Sequence, residues 1–552
     1  MEKDKLKPKL FSVIKNYSKE QLIKDIVSGI IVAIIALPLS IALAIASGVS
    51  PEQGIYTAII AGFLISFLGG SRVQIAGPTA AFATIVAGIV ATSQMDGLIV
   101  ATIIAGILLV LMGIFRLGSL IKFIPYTITT GFTAGIAVTI AIGQVKDFLG
   151  LTYPAGTHTI ETMDKVKAIA QNITTFNPEA LLVGGVCLAI LIVWPRITEK
   201  IPGSLIAVLV GIAMTKLLHL NVNTIGDLYT ISNALPHITV PHLSISIITS
   251  QFTNGMTIAI LAAIESLLSC VVSDGMIGSK HRSNMELVAQ GVGNVGSALF
   301  GGIPATGAIA RTAANIKNGG RTPIAGIVHS IVLLLVLVVL MPYAALIPMP
   351  TIAAILFMVA WGMCGYKTFI HLCKTAPKSD IAVLVATFLL TVIFDLVVAI
   401  EIGMIAACVL FMKRMSDESE VRGWQYFGDE DDDPDHIELR QVPHHVRVYE
   451  INGPMFFGAA DLISDITLKE FTECLIIRMR GVPALDATAM HSLEQLQERC
   501  QSKGVTLIFS HVNEQPRHTM EKAEFIEKVG EENFCAHIDD ALARAAELHP
   551  EN

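Results

Sequence analysis

The segment GGIPATGAIARTAAN, residues 301–315, decides the fold, because it carries one arginine, Arg311, among small and apolar residues. Long apolar stretches lie before and after it, for example GIVHSIVLLLVLVVLM at 326–341. The stretch up to residue 320 is too short to cross a bilayer, since about twelve helical residues at about 1.5 Å each reach only about 18 Å. The segment therefore predicts a helix that ends inside the membrane and carries a positive charge.

The composition of the whole chain indicates a membrane protein with many spans. Of its 552 residues, 53% are hydrophobic and only 15% are charged, against about 25% charged in soluble domains. From about Ile26 to Met412 the sequence is a series of apolar stretches, and runs of about 18 residues can cross a bilayer core of about 30 Å. A soluble core can hide one such run but not about a dozen, which excludes a soluble globular protein.

Apolar stretches and basic residues together predict the membrane topology. About fourteen spans are centred near residues 37, 60, 83, 107, 135, 186, 210, 264, 293, 311, 332, 353, 386 and 404. Cytoplasmic loops attract lysine and arginine, and the alternate loops that carry most of them contain Arg72, Arg116, Lys122, Arg196, Lys200, Lys280, Arg282, Lys317, Arg321, Lys367, Lys374, Lys378, Lys413 and Arg414. The exceptions are Lys146, Lys165, Lys167 and Lys216. This alternation predicts a transmembrane domain over 26–414 with both termini cytoplasmic, preceded by a solvated arm at 1–25 that is not a signal peptide.

Two of the predicted spans are interrupted at matching positions. One is VQIAGPTAAFATIVAGIV at 73–90, and the other is PATGAIARTAANIKNGG at 304–320. Each is the third apolar segment of its half, and each follows a Gly-Gly pair, at 69–70 and 301–302. Such a pair is typical of an inverted-repeat transporter in which two half-helices meet at the midplane. The alternative is a chance pair of helix breaks, because Gly and Pro are common in membrane helices.

Two half-helix tips that point at one place predict an anion site. Helix N-termini carry unpaired N–H groups and about half a positive charge each, which favours an anion. The side chain of Arg311 leans toward the N-terminus of its helix, so its guanidinium can add a full charge to the same place. Thr79 and Thr312 are candidates for hydroxyl contacts. The alternative for Arg311 is a side chain that snorkels to the cytoplasmic surface near Lys317.

A second ionisable group, Glu265, lies near the middle of the apolar stretch 256–276. A carboxylate inside a membrane is costly, so it is a functional candidate by default. Held between burial and a nearby arginine, it can carry a proton together with the substrate. Ser269 lies one helical turn further along the same face. A static ion pair or hydrogen bond between two spans is the alternative.

Past Met412 the sequence becomes polar and predicts a second domain. Residues 415–440 are acidic and predict a linker, and residues 441–552 predict a small α/β domain. Strands are expected at 445–451, 475–479 and 505–510, with helices near 459–470, 487–502, 514–528 and 538–548. Asp486 is a candidate cap of one of these helices. The eight cysteines form no CxxC pair, so neither a disulfide nor a metal site is expected.

Four stretches of the chain carry a family resemblance: ALPLSIALAIASGVSPEQGIYTAIIAGFLISFLGGSRVQIAGPTAAF (36–82), AIESLLSCVVSDGM (263–276), HRSNMELVAQGVGN (281–294) and FGGIPATGAIARTAANIKNGG (300–320). Through them the sequence resembles the SulP family of anion transporters, the bacterial relatives of the SLC26 proteins. GSRVQIAGPTAAF (70–82) and VIFDLVVAI (392–400) are most similar to members linked to C4-dicarboxylate uptake. The family implies an α-helical polytopic protein of fourteen transmembrane segments in a 7+7 inverted repeat, with core and gate domains. It further implies a C-terminal STAS domain, a homodimer and a bacterial inner membrane.

The resemblance also implies which residues form the site. The substrate-binding positions are Leu39, Leu43, Thr79, Ala80, Ile309, Ala310 and Arg311. Glu265 matches the position where proton-linked members carry Glu and a sodium-linked bicarbonate group carries Asp, which favours proton coupling, with Ser269 beside it. Thr488 matches a position that is phosphorylated in some STAS relatives, although Ala489 stands where many of them have Gly.

Residues and resemblance together predict a secondary active transporter of a small anion of the C4-dicarboxylate, bicarbonate or sulfate class. Proton-coupled symport by alternating access is the expected mechanism, and the expected partners are the anion, the proton, the lipid bilayer, a second copy of the chain and a cytoplasmic regulatory protein at the STAS domain. The alternatives are an uncoupled anion channel or exchanger, and a membrane signalling protein whose output is the STAS domain. No nucleic acid, cofactor or metal is expected. An enzyme is not expected either, since the membrane part has no Walker-type loop, no metal-spaced His/Cys cluster and no nucleophile–base pair.

Overall fold

The computed structural model describes residues 6–119, 125–154, 157, 159, 161–198, 201–241, 244–394, 396–424, 442–443, 445–469 and 471–550. The chain divides into two compact units, Met1–Met404 and Ile405–Asn552. The predicted inner-loop residues Lys122 and Lys200 lie outside the described residues.

The first half of the first unit is helical apart from one short strand. Its elements are α1 (Leu10–Val13), α2 (Lys19–Ala46), α3 (Pro51–Leu68), β1 (Ala76–Gly77), α4 (Ala83–Ile114), α5 (Tyr126–Leu149), α6 (Thr162–Asn172), α7 (Pro178–Ile197), α8 (Gly203–Leu217) and α9 (Ile225–Leu228). A turn of 3₁₀ helix at Ala80–Phe82 leads into α4.

The second half repeats this pattern. Its elements are α10 (Ile245–Ile277), α11 (Ser283–Leu299), β2 (Thr306–Gly307), α12 (Ile309–Lys317), α13 (Ile324–Ala344), α14 (Met349–Cys364), α15 (Tyr366–Thr375), α16 (Lys378–Ile393) and α17 (Leu396–Asp417). In each half a short strand lies at the predicted interruption of the third span, and a helix begins shortly after it, α4 at Ala83 and α12 at Ile309. The paired Gly-Gly signals predicted both interruptions.

Local sequence signals set several helix ends. The hydroxyl of Ser18 accepts a hydrogen bond from the backbone N–H of Gln21 at 3.1 Å and begins α2. Ser50 begins α3 with a capping box and a proline at the first helical position. Gly150 and Gly278 end α5 and α10 in the left-handed region, with φ of 62° and 63°.

All of the fourteen predicted span centres lie inside helices. Within the described part of the chain, eight helices are long and apolar enough to cross a membrane. Two predicted spans, centred at 83 and 107, fall in α4, which is broken at Gln94 by a φ of 55° and a ψ of −164°. The break at Gln94 lies between these two predicted span centres and divides α4 into two helical parts.

The membrane helices pack as two bundles. One bundle, called the core here, joins α2, α3, α4, α10, α11, α12 and α13, and the other, called the gate, joins α5, α7, α8, α14 and α16. Glycines bring core helices close: a methyl group on Gly106 would lie 2.7 Å from the carbonyl oxygen of Gly291. Two helix backbones can approach each other this closely only where small residues form the contact, as is usual between membrane helices.

The N-terminal segment differs from the predicted solvated arm. α1 packs against the first unit, with Leu10 only 4% exposed and the rings of Phe11 and Phe67 meeting edge to face at 5.9 Å. The backbone N–H of Lys9 donates to the carbonyl of Gly69 at 2.8 Å. The sequence-based prediction of a solvated arm overlooked the apolar residues of this segment, which need a partner surface.

The second unit is an α/β domain. Its sheet contains β3 (Glu420–Trp424), β4 (Val446–Asn452), β5 (Cys474–Gly481), β6 (Thr506–Ser510) and β7 (Phe534–Cys535), in that order, with β3 antiparallel and the others parallel. Its helices are α18 (Asp461–Ser464), α19 (Ala487–Ser502), α20 (Glu514–Lys522), α21 (Phe525–Val529) and α22 (Ile538–Leu548). Alternate residues of β5 enter two separate cores, Leu475 and Ile477 on one face and Ile476 on the other.

The sequence predicted the three central strands of this domain closely and its helices less well. The expected helix at 459–470 is only the four-residue α18, and the expected helix at 514–528 is divided where Glu524 takes a φ of 53°. Within the expected linker at 415–440, β3 forms at 420–424, and Val421 packs against the core of the domain. Residues 425–440 of that linker lie outside the described residues.

Candidate functional site

The two interrupted segments meet through their backbones. β1 and β2 are antiparallel, with Ala76 opposite Gly307 and Gly77 opposite Thr306. The N–H of Ala308 donates to the carbonyl of Ile75 at 2.9 Å. The helices that follow therefore begin side by side, so the condition on which the predicted anion site depends is met.

The tip of α12 presents unpaired backbone donors. Its first intrahelical hydrogen bond runs from the N–H of Thr312 to the carbonyl of Ala308 at 2.9 Å, which leaves the N–H groups of Ile309, Ala310 and Arg311 without an intrahelical acceptor. The hydroxyl of Thr312 accepts from the N–H of Ile75 at 3.1 Å, so this side chain joins the two halves rather than facing the cavity.

Arg311 is the charged group of this tip. Its side chain is 1% exposed, and its Nη2 donates to the carbonyl of Pro78 at 3.1 Å and to the hydroxyl of Ser40 at 3.3 Å. Nε and Nη1 are buried, and no described residue accepts from them. The snorkelling alternative is therefore wrong, because a snorkelling side chain ends in water.

A cavity of about 580 Å³ lies in front of the two tips. The core contributes α2, α10 and both tips to its wall, and the gate contributes α5, α7, α8 and α14. The seven predicted substrate-binding residues all line it: Leu39, Leu43, Thr79, Ala80, Ile309, Ala310 and Arg311. Arg311 and Glu265 are the two charged residues among the described residues of this wall, and the rest of the lining is largely aliphatic.

Glu265 reaches the same cavity from α10. Its Oε2 accepts a hydrogen bond from the hydroxyl of Thr79 at 2.9 Å, directly at the tip of the first half-helix. No ion pair between Glu265 and Arg311 is found among the described residues. The hydrogen bond from Thr79 is a contact of the kind that the alternative of a static hydrogen bond between two spans describes. Ser269 is 1% exposed and does not line the cavity, so the structure does not bring the predicted pair of Glu265 and Ser269 to one surface.

A buried carboxylate supports the first half-helix, and the sequence-based interpretation gave it no role. Oε2 of Glu286 accepts from the backbone N–H groups of Gly70 and Ser71 at 2.8 and 3.1 Å. Its Oε1 accepts from the side-chain amides of Gln74 and Gln290 at 2.7 and 2.9 Å. The four donors compensate the buried carboxylate, and the three from Gly70, Ser71 and Gln74 hold the loop that leads into β1.

Two asparagines support the second half-helix in the same way. Asn294 accepts from the N–H of Ala305 at 2.8 Å and donates to its carbonyl at 2.9 Å. Asn315, within α12, donates to the carbonyl of Val73 at 2.8 Å and accepts from the hydroxyl of Ser28 at 2.7 Å. The sequence signal for these residues was their polarity inside otherwise apolar or small-residue segments.

In the α/β domain, the two residues singled out from the sequence lie at the start of α19. Asp486 is its N-cap and accepts from the N–H of Ala489 at 2.9 Å, and it also accepts from the N–H of Phe457 at 2.9 Å. The predicted capping role is confirmed. Thr488 is exposed in the first turn of the helix, where the helix dipole favours an added negative group.

Comparison with known sequences assigns both parts of the chain. The pattern of the "Sulfate permease family" matches residues 22–387, and that of the "STAS domain" matches residues 436–541. The chain is 39% identical to "Putative sulfate transporter YvdB" of Bacillus subtilis, covering 95% of this chain and 98% of that protein. It is 29% identical to "Bicarbonate transporter BicA" of Picosynechococcus, covering 94% of each.

Solved structures agree with this assignment. The fold is similar to that of SLC26A9, with a TM-score of 0.87 over 98% of this chain and 93% of that chain at 18% identity. The transmembrane domain of a cyanobacterial bicarbonate transporter, BicA, matches with a TM-score of 0.62 over 71% of this chain and 98% of that chain at 28% identity. The chain thus belongs to the sulfate permease family, the SulP/SLC26 group of membrane anion transporters, and carries the STAS domain at its C-terminal end.

Proposed function

We propose that this chain is a secondary active transporter that carries a small anion together with a proton. The observation that carries the proposal is the guanidinium of Arg311, whose Nε and Nη1 have no acceptor among the described residues at a cavity between two half-helix tips. Buried donors without a partner are rare, and here an anion supplies the missing acceptors. The unpaired backbone N–H groups of the α12 tip add to the same field.

The cavity chemistry supports a compact anion with oxygen acceptors. The free Nε and Nη1 of Arg311 can donate charge-assisted hydrogen bonds to the oxygens of a carboxylate or a similar anion. Aliphatic side chains such as Leu39 and Leu43 give the wall few further polar contacts, which suits the short carbon chain of a C4-dicarboxylate as well as bicarbonate. The names of the relatives add sulfate and bicarbonate, so the proposed class comprises sulfate, bicarbonate and C4-dicarboxylates.

Glu265 is the proposed proton carrier. Its carboxyl group lines the cavity that holds Arg311 and is linked to the first tip through Thr79. A proton on Glu265 removes a negative charge from the space that the anion enters, so protonation and anion binding favour each other. Reciprocal coupling of this kind is what symport requires.

Alternating access is proposed at the contact between core and gate. The cavity is lined from both bundles, so a displacement of one against the other opens it to one side or the other while the two tips stay together. A channel on the same architecture would instead need a continuous water path. The two mechanisms differ in flux, because a carrier saturates and a channel does not at comparable concentrations.

The contacts of the N-terminal segment bear on the proposed orientation in the membrane. The backbone carbonyl of Lys280 accepts from Nζ of Lys9, and Arg282 donates to the carbonyl of Lys7, each at 2.8 Å. The N-terminal segment therefore lies beside a predicted inner loop, which supports an N-terminus on the cytoplasmic side. A bacterial inner membrane, a cytoplasmic STAS domain that binds a regulatory protein, and a homodimer complete the proposal.

Uptake by proteoliposomes tests the function. The full-length protein is reconstituted, and uptake of labelled sulfate, bicarbonate, succinate and fumarate is measured with and without a proton gradient. Saturable uptake of at least one of these anions, with accumulation that requires the gradient, is expected. Uptake that rises without saturation would support a channel, and a STAS-dependent regulatory effect without any flux would support the signalling alternative.

A further inference from the structure

A second polar cavity, of about 520 Å³, lies at the end of the core where the N-terminal segment packs. Its wall includes Lys9, Tyr17 and Gln21 of the N-terminal region, Arg72 of the loop before β1, and Arg321 of the loop after α12. None of its lining residues belongs to the wall of the transport cavity. We call it the basic cavity.

Hydrogen bonds hold the N-terminal segment over this cavity. Lys9 donates to the carbonyls of Gly69 and Lys280, both at 2.8 Å, through its backbone N–H and its Nζ. Arg282 donates to the carbonyl of Lys7 at 2.8 Å and to the hydroxyl of Ser12 at 3.2 Å. The wall is therefore built by specific contacts between the segment and two core loops.

The charge of the lining is positive. Lys9, Arg72 and Arg321 line the basic cavity, and no acidic residue is among the described lining residues. Asp25 is close by and fully buried, but it already accepts from the hydroxyl of Tyr17 at 2.7 Å and from the backbone N–H of Arg321 at 2.8 Å. Burial raises the pKa of the Tyr17 phenol far above its ordinary value, so the phenol keeps its proton and stays a donor to Asp25.

Arg72 is the group that points to a ligand. Its Nε is buried and has no hydrogen-bond partner among the described residues. Arg321, in contrast, uses Nη1 to donate to the carbonyls of Ile316 and Gly320 at 2.8 and 2.7 Å. A buried Nε donor that no described residue accepts from, in a cavity that two other basic side chains line, is a group whose missing acceptor an anion can supply.

We propose that the basic cavity binds a phosphate group. Phosphate oxygens accept several charge-assisted hydrogen bonds at once, and arginine and lysine together are the side chains that recognise them. The phosphate can belong to the headgroup of an anionic lipid at the membrane surface or to a soluble phosphorylated metabolite. The chemistry at the cavity is the same for both.

The position of the basic cavity connects it to both half-helices. Arg72 lies four residues before β1, which begins at Ala76, and Arg321 lies four residues after α12, which ends at Lys317. A phosphate that bridges these two arginines ties the entry of one half-helix to the exit of the other. Binding there stabilises the core and the folded N-terminal segment together.

The test measures phosphate binding by the purified full-length protein in a variant in which the transport site is disabled. Arg311→Gln serves as this background, so that binding of a probe at the transport cavity does not interfere. Inorganic pyrophosphate is titrated by calorimetry, and dioctanoyl phosphatidylglycerol is added below its micellar concentration and followed by native mass spectrometry. In this background Arg72→Gln is compared with Arg196→Gln, which removes an exposed arginine of another predicted inner loop.

At least one probe is expected to bind with one-to-one stoichiometry. Arg72→Gln weakens that binding by about tenfold or more, the change that follows from loss of a charge-assisted hydrogen bond, while Arg196→Gln leaves it unchanged. Arg72→Lys, which keeps the charge, retains part of it. Binding of the lipid alone identifies a headgroup as the ligand, and binding of pyrophosphate alone identifies a soluble one. If neither probe binds, or if binding is the same in Arg72→Gln and Arg196→Gln, the proposal is overturned, whatever the transport assays show.

Discussion

Replacing Arg311 by alanine tests the transport site directly. The side chain is buried, and its Nε and Nη1 have no acceptor in the described part of the chain, whereas Nη2 is used by Ser40 and Pro78. In the proposed complex the two free donors bind the anion. The substitution therefore removes two hydrogen bonds to the substrate and the only cation of the described cavity wall.

The size of the effect follows from the geometry. A hydrogen bond that involves a charged group contributes about 1.5–3 kcal/mol, so two of them contribute about 3–6 kcal/mol. The dissociation constant of the anion is expected to rise by about 10²- to 10⁴-fold. Arg311→Lys keeps the charge but loses the planar fork, so its effect is expected to be smaller than that of alanine.

The assay is equilibrium binding of the labelled anion to purified full-length protein, followed by uptake into proteoliposomes. Loss of the guanidinium also leaves the hydroxyl of Ser40 and the carbonyl of Pro78 without their donor, which costs about 1–3 kcal/mol for each buried group. Thermal unfolding of each variant therefore accompanies the binding data. Ser40→Ala is the matched control, because it removes one acceptor of Arg311 and leaves the guanidinium in place.

An unchanged dissociation constant in folded Arg311→Ala protein would refute the reasoning. A loss of equal size in Ser40→Ala would also contradict it, since that result would assign the effect to packing around the arginine rather than to contact with the anion.

Four further predictions concern single residues. In Gly77→Ala the new methyl group collides with Nη1 of Arg311. Overpacking that costs about 1–3 kcal/mol is expected to weaken anion binding by about 5- to 150-fold. Gly88→Ala is the control, because a methyl group there contacts no neighbouring atom, and this variant is expected to bind the anion normally. Glu265→Gln is expected to lose accumulation driven by a proton gradient and to keep anion exchange, which uptake and counterflow measurements separate; unchanged gradient dependence removes Glu265 from the coupling role. Asp486→Ala removes the cap of α19 and is expected to destabilise the STAS domain by about 1 kcal/mol, measured by hydrogen exchange in the full-length chain. Burial and the nearby Arg478 lower the pKa of His511 below its ordinary 6.5. As the pH falls below that value, the unfolded domain binds more protons than the folded domain, so the folded domain loses stability. His511→Gln removes this contribution, so protection from hydrogen exchange should decrease less steeply with falling pH in the variant than in the native protein.

The fold and the candidate site could be predicted from the sequence where the signal is local. Apolar length identifies spans, and the Gly-Gly pairs at 69–70 and 301–302 identify the two interruptions. An arginine inside a short, small-residue helix is a local signal as well, because the membrane makes any charge conspicuous. For the same reason Glu265 stood out, and both residues line one cavity.

What the sequence could not predict is pairing between distant segments. Glu286 looks like a residue near a helix end, yet its partners Gly70 and Ser71 lie 216 and 215 positions away. Periodicity reports which face of a helix is apolar, and it carries no information about which loop meets that face. The packing of the N-terminal segment was missed for this reason too, since Arg282 contacts Lys7 across 275 positions.

These distant contacts bear on how the proposed transport cycle works. The two tips are tied by backbone pairing between Ala76 and Gly307. Both are also bound to α11, the first through the hydrogen bonds from Gly70, Ser71 and Gln74 to Glu286 and the second through the double hydrogen bond between Asn294 and Ala305. Separating the tips would expose all of these buried polar groups at once, and each lost partner costs about 1–3 kcal/mol. Among the described residues that line the cavity, the contact between core and gate carries no comparable set of bonds, and the wall there is largely aliphatic. A displacement that exposes the anion is therefore less costly between the bundles than within the core, which favours a mechanism in which the site travels intact with its core helices.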